Sequence, residues 1–350
     1  MTRETPFELP SRPVVTQIRG LSTESVRRVS GERTQEMAGF EPCWRDIVHY
    51  IVGITEEIWA DAAVDRIRDT YAADCVVHTS MGTTRGVDGV VAGTVQSIFA
   101  FTDFRTTHLN VAWSGDERDF YTSHLGFAQS VNSGATAWGE GKGARLARYF
   151  AADCLSRANK IHTEWLARDT GAAMIQMGLD RLELARRLAE LPAAEPLAPL
   201  PPDAPLAAPN WGDSPPERYW IAHFDCWNRR AFAALGKKYA PAAAAHWPGL
   251  REASGPRAIA HLVIGLLASV PDGIVRVEHL SWSEESDGTI MAVRWRLDGT
   301  SSPYGALGAM PAGRSLALIG ISHFRFQGGV IVEEWTVFDE LALLVQALRA

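Results

Sequence analysis

A chain of 350 residues is longer than one hydrophobic core usually organises, so two domains are expected. With 46% hydrophobic residues and a net charge of −7, its composition is that of a globular protein, and without a basic stripe it is not expected to bind nucleic acid. The longest near-apolar run, 259–270, is interrupted by His261 and falls short of the roughly 20 residues that span a bilayer.

The first 13 residues are polar and proline-rich, unlike a signal peptide. Residues 1–40 lack a sustained period and read as an arm, partly disordered or packed on a neighbour. From Pro42 the pattern turns helical: Trp44, Ile47, Val48, Ile51, Ile54 and Ile58 recur at three- and four-residue steps. A helix over 62–71, a short extended piece Cys75–His78 and a helix over 87–101 follow. After Asp103 the period becomes two, predicting strands over 105–114, 120–131, 145–155 and 161–168. A helix from Asp169 to about Leu191 closes this half. Residues 192–216 are rich in proline and alanine and form an extended linker. The order then restarts: a helix over 217–235, an extended piece with His246, a helix over 256–270, four strands and a C-terminal helix from Asp339.

The restart can be checked by spacing. Trp59, Tyr71 and His78 are separated by 12 and 7 residues, as are Trp227, Tyr239 and His246. Gly86 precedes Asp103 by 17 residues and Gly255 precedes Asp272 by 17, while Trp165–Asp169 and Trp335–Asp339 are both four apart. Duplication accounts for this shared order. It divides the chain into an arm (1–40), a first domain (41–191), a linker (192–216) and a second domain (217–350). The four cysteines, Cys43, Cys75, Cys154 and Cys226, have no Cys-x-x-Cys or zinc spacing and read as reduced thiols of a cytoplasmic protein.

Helices followed by a four-stranded meander and a final helix suggest an α+β fold with a sheet curled around helices. The second half carries Gly255, Pro271-Asp272, Asp298-Gly299-Thr300, the loop to Pro311-Ala312-Gly313-Arg314, and Gly329 through Asp339. In these pieces it resembles the SnoaL-like polyketide cyclases, within the nuclear-transport-factor-two-like superfamily of cystatin-like cones. The first half is similar, with Thr136-Ala137-Trp138-Gly139 in place of the loop. The resemblance covers roughly 45–190 and 217–350. It implies two tandem cone-shaped domains, each with N-terminal helices on a curved, mainly antiparallel sheet that encloses an apolar small-molecule pocket.

It also implies site positions. Cyclases of this family place a His on the third strand and an Asp on the fourth; here these positions fall on His323 and Thr336, and in the first half on Asp153 and Leu166. Strand parity offers Glu334 beside Thr336, and Glu164 beside Leu166, as substitute carboxylates. His323 with Glu334 would then be one acid/base pair, and Asp153 with Glu164 two carboxylates in one site. His323 also reads as a hydrogen-bonded edge histidine. Asp339, with Asp169, reads as a helix N-cap more than as a catalyst. His78 and His246 end the short extended pieces, near the mouth of such a cone, as ligand contacts or carbonyl-bonded histidines. Trp59, Trp227, Trp113, Trp282, Trp165 and Trp335 read as packing first and ligand stacking second. Arg294 and Arg296 read as salt-bridged surface residues, or as anion binders if both turn inward.

The chain has no phosphate loop, nucleophile elbow or paired metal histidines, so neither cofactor nor metal is expected. A cofactor-independent cyclase, isomerase or hydrolase acting on a small apolar carbonyl or ester compound fits best. A non-catalytic ligand binder and an assembly role, with the halves packed as an intramolecular pseudo-dimer, are the alternatives; a homodimer is left open. The second half, holding His323 and the fuller family loop, is the better candidate for the site.

Overall fold

The computed structural model describes residues 5–27, 31–192, 195–208 and 212–349. Helix α1 (Thr23–Arg27) lies in the N-terminal arm. The first half contains α2 (Ile47–Trp59), α3 (Arg66–Thr70), β1 (Tyr71–Thr79), β2 (Gly82–Arg85), α4 (Val87–Ala100), β3 (Phe101–Gly115), β4 (Asp119–Asn132), β5 (Ala144–Arg157), β6 (Lys160–Arg168), α5 (Thr170–Gln176) and α6 (Arg181–Ala189). The second contains α7 (Pro215–Asn228), α8 (Phe232–Gly236), β7 (Tyr239–Trp247), β8 (Arg251–Ser254), α9 (Pro256–Ser269), β9 (Ile274–Glu285), β10 (Gly288–Thr300), β11 (Ser315–Gln327), β12 (Val330–Phe338) and α10 (Glu340–Leu348). The order from α2 to α5 recurs from α7 to α10, in keeping with the spacing argument.

Local chemistry explains the boundaries. Asp46 caps α2 by accepting from His49 N, and Ser214 with Glu217 forms a capping box on α7 behind Pro215. Gly86 and Gly255, with φ of 81° and 82°, turn the chain into α4 and α9 in a conformation open mainly to glycine. Two helices are shorter than their periodicity suggests. The stretch expected to run from Asp169 to Leu191 breaks at Gly178 (φ 62°), and the one expected over 217–235 breaks at Arg230 (φ 56°).

All strands join one sheet in the order β2-β1-β6-β5-β4-β3-β9-β10-β11-β12-β7-β8. Only β1–β6 and β7–β12 run parallel. The halves meet edge to edge at the pair Trp113–Trp282, capped by the Arg12 guanidinium at 3.6 and 4.2 Å from the two rings. The outer sheet faces then pack on each other through Leu125, Ala151 and Ala167 against Ile321, Trp335 and Val337. The helices lie on the inner faces. One core gathers Trp220, Phe224, Trp227, Trp295 and Phe338, and the other gathers Trp44, Tyr50, Ile51, Ile54 and Phe120.

The described arm residues run back over both halves. Phe7 packs on Tyr219 and Phe326, and Arg19 binds Asp287 and Glu333. Residues 1–4 and 28–30 of the expected arm lie outside the described residues. The linker is extended but docked: Asp298 accepts from Leu200 N, while Arg276 donates to the carbonyls of Pro201 and Pro202 and Arg296 to that of Ala198. Arg294 and Arg296 are buried and salt-bridged, so they do not belong to the surface as their spacing suggested. Cys43 is exposed and Cys75, Cys154 and Cys226 are buried free thiols.

Candidate functional site

The strand registers make the two inner faces directly comparable, row by row. In the first half the rows across β4, β5 and β6 read Thr122–Cys154–Glu164, His124–Ala152–Leu166 and Gly126–Phe150–Arg168, with Arg148 beside Ala128 in the next. In the second half the same rows across β10, β11 and β12 read Met291–Phe324–Glu334, Val293–Ser322–Thr336 and Trp295–Gly320–Phe338, with Leu318 beside Leu297. The second set is large and apolar at its centre, and the helices fill the remainder with Trp220, Phe224 and Trp227. In the first set those central places hold small or polar residues, and a cavity of about 880 Å³ opens there. That volume suits a small organic molecule.

One slot shows how the difference is built. In the second half Trp295 lies across Gly320, where an added Cβ would sit 2.1 Å from the indole. In the first half the aromatic comes from the opposite strand: Phe150 lies across Gly126, and a Cβ there would sit 2.4 Å from its ring. The smaller phenyl and the loss of the facing aromatics leave room above the sheet.

His124 lines this cavity from the middle row and carries a buried polar chain behind it. Its Nε2 is 2.8 Å from His108 Nδ1, and His108 Nε2 is 3.0 Å from Glu56 Oε1 on α2. The irregularity in β3 between His108 and Asn110 lets the His108 ring reach the His124 ring diagonally. Glu56, as a carboxylate, accepts from His108 Nε2–H; His108 Nδ1 then accepts from His124 Nε2–H. The lone pair of the His124 ring is thereby assigned to Nδ1. Burial holds His124 well below the usual histidine range, with the neighbouring rings of His108 and His323 adding to this, so the imidazole is neutral.

Glu164 lies one row from His124 on the same face. Burial raises its carboxyl above the ordinary range, against a 2.8 Å hydrogen bond donated by the Tyr71 hydroxyl. In the second half Tyr239 and Glu334 repeat this bond, but Trp247 Nε1 and Thr336 Oγ1 also donate to Glu334, at 2.7 Å each, and its carboxylate is enclosed. Arg148 and Arg168 project on the cavity side of β5 and β6 beyond His124. Cys154 also faces the cavity, yet burial pushes its thiol far up, so it is no ready nucleophile.

The residues singled out from sequence are redistributed by strand parity. His323 does not meet Glu334: it pairs across strands with Trp335, on the outer face, while Glu334 and Thr336 point inward. Its Nε2 lies 3.0 Å from Ser123 Oγ of the other half. Asp153 likewise does not share a site with Glu164. It pairs with Trp165 on the outer face and accepts from Arg294 at 3.0 Å. The residues that face Thr336 and Leu166 across the strands are Ser322 and Ala152, one before His323 and Asp153.

His78 and His246 stack on Trp165 and Trp335 at 5.7 and 5.6 Å and lie outside the cavity lining, not at a cone mouth. Trp227 is enclosed in the second core, and Thr336 is bonded to Ser322 and Glu334. Trp59 does line the cavity, against Phe104. Asp339 caps α10 through Ala342 N and accepts from Thr170 Oγ1 at 2.6 Å, while reaching the cavity wall. This cavity lies in the first half, whereas the fuller family loop pointed to the second.

Glu56, His108 and His124 were missed by motif reading, although a signal existed. Glu56 precedes Trp59 by three residues, as Phe224 precedes Trp227; His108 and Val277 each lie five before a matched tryptophan, Trp113 and Trp282; His124 and Val293 each lie 11 after the same pair. Polar residues whose repeat mates are apolar mark the cavity.

Residues 221–347 match the family model "SnoaL-like polyketide cyclase". The match falls within the second half of the chain. Solved structures similar to the chain include AclR from Streptomyces galilaeus (23% identity, 38% of this chain and 84% of that one, TM-score 0.32). IdmH from Streptomyces antibioticus aligns at 22% identity over 38% of this chain and 97% of its own, with a TM-score of 0.32. TsrD from Streptomyces laurentii aligns at 13% over 38% and 97%, with a TM-score of 0.33. No curated protein sequence matches the chain. None of its helices is long and apolar enough to cross a membrane, and no cluster of metal-ligating side chains occurs among the described residues.

Proposed function

We propose that the chain comprises two SnoaL-like domains, 41–191 and 217–350, packed as an intramolecular pseudo-dimer, and that the first is a cofactor-independent acid/base enzyme. Its substrate class is a small, largely apolar carbonyl or ester compound held in the cavity between α2, α4 and the inner sheet face. The observation that carries the reading is the buried chain Glu56–His108–His124, which ends in a neutral imidazole on the cavity wall. In the filled half these three places are Phe224, Val277 and Val293, residues that only pack.

His124 Nδ1 takes a proton from carbon beside the substrate carbonyl, or from water attacking an ester. The positive charge that develops on the imidazole is shared through Nε2–H to His108 and balanced by Glu56. Glu164, raised by burial, lies on one side of the base as a proton donor to the developing oxyanion. Low dielectric and the exclusion of water strengthen both interactions.

Replacing His124 by Asn should lower turnover of a responsive ester or enolisable ketone by about 10²–10⁴-fold without changing the urea midpoint. Glu56→Gln should lower it less and shift the pH–rate profile, because it weakens the charge balance without removing the base. If turnover is unaffected by H124N while ligands still stabilise the protein, the domain is a binding module.

A further inference from the structure

The cavity holds two guanidinium groups that the acid/base chemistry does not use. Arg148 and Arg168 lie on the same inner face, since Phe150 is cross-strand from Arg168 and Arg148 is two residues from Phe150 on β5. Arg148 rests on the Phe101 ring at 5.0 Å. Among the described residues, neither makes an ion pair or hydrogen bond.

The nearby acids are otherwise engaged. Glu164 accepts the Tyr71 hydroxyl, and Asp339 accepts Thr170 Oγ1 and Ala342 N. The charges of both act on Arg168, but neither carboxylate pairs with its guanidinium. Arg105 and Asp103 are further charged residues of the lining. Arg148 is lowered only to about 10, by burial first and by the charge of Arg168 second, so it stays a cation at neutral pH. In the filled half the same two places are Leu318 and Phe338. Arg168 is exposed to the cavity and Arg148 half-buried beside it, so both forks are open to a ligand, and their flat donor geometry matches a carboxylate.

We infer that the ligand of this cavity is an apolar carboxylate, its anionic group held between Arg148 and Arg168 and its apolar body lying over Phe150 toward His124. The inference rests on the cavity being the ligand site and is independent of whether His124 catalyses. It orients the ligand, because the Arg168 row is the next one to the His124 row, two residues or roughly 7 Å along the strand, and Arg148 lies one row further.

Calorimetric titration of the full chain with 2-naphthoate and with its neutral methyl ester tests this. Naphthoate should bind once per chain and at least about tenfold tighter than the ester. Arg168→Met and Arg148→Met should each cost about tenfold in naphthoate affinity and leave the ester unchanged. Each should also leave the melting temperature of the free protein within a few degrees of the parent, because neither guanidinium has an ion-pair partner to lose. Equal affinity for acid and ester overturns the inference. So does a melting temperature that falls while naphthoate affinity holds, which would make the arginines structural. A naphthoate preference accompanied by H124N without kinetic effect removes only the catalytic reading.

Discussion

His323 and Asp153 occupy matching places on β11 and β5, and both end at the seam between the outer sheet faces. Asp153 is fully buried; burial pushes its carboxyl up, but His279 and Arg294 outweigh this and hold it below the ordinary range. His323 is pushed down to about 4 by burial, with the charge of Asp153 partly opposing. It is therefore neutral in the fold, whereas the unfolded chain binds a proton at about 6.5. Its contribution to stability is complete above about pH 6.5 and is lost as pH falls toward 4. Raised acids such as Asp169 and Glu285 act in the opposite sense. The comparison must thus be made against a variant: between pH 7.5 and 4.5 the unfolding free energy of His323→Gln should fall by about 2–3 kcal/mol less than that of the parent, read from urea titrations. Parallel losses would mean that His323 is solvated or charged in the fold.

At the level of elements, the halves share their order and differ in what fills the slots. Helix α9 buries Ile259, Ala260, Val263, Leu266, Leu267 and Ser269, while α4 buries only Thr94 and Ala100. The difference follows from the strands beneath: α9 lies over a packed aromatic core, α4 over a cavity. Substitutions at the paired glycines should reveal this asymmetry. Gly320→Ala drives a methyl into the enclosed Trp295 ring and should cost at least about 1–3 kcal/mol. Gly126→Ala meets the edge of Phe150, which borders open space, and should cost less. Chemical denaturation of the two variants orders them; a reversed order would show that the first cavity does not yield. The element order was legible in the spacing and period of the residues, apart from the short hairpin strands β2 and β8. The breaks at Gly178 and Arg230 were not, because the apolar period continues across both.

The whole molecule is held together by the outer-face seam, the Trp113–Trp282 edge pair, the arm and the docked linker. Arg294 reaches across the seam to stack on Trp165 at 3.6 Å while binding Asp153, so a cation, an aromatic ring and a carboxylate from both halves interlock. The inner faces can then diverge, one filled and one hollow, while the outer faces stay matched. Residues 212–350 produced alone would expose Ile321, Trp335 and Val337 and leave Arg294 without Asp153. They should self-associate or lose cooperative unfolding, as sedimentation and thermal melts can determine. A monomeric, cooperatively folding fragment would contradict the pseudo-dimer proposal.

The residues by themselves determined the α+β class, the repeat and the places of Trp165, Trp335, Glu164 and Glu334, because period and spacing are properties of the chain alone. They also held the clue to the cavity, in Glu56, His108, His124 and Arg168 set against apolar repeat mates. Tertiary structure alone decided which side of a strand counts as inside. A shift of one residue on β11 moves His323 from pocket to seam, since side chains alternate with a period of two. It also decided that the half with the fuller family loop is the one whose core is closed, because packing depends on the summed volumes of residues brought together from many separate elements.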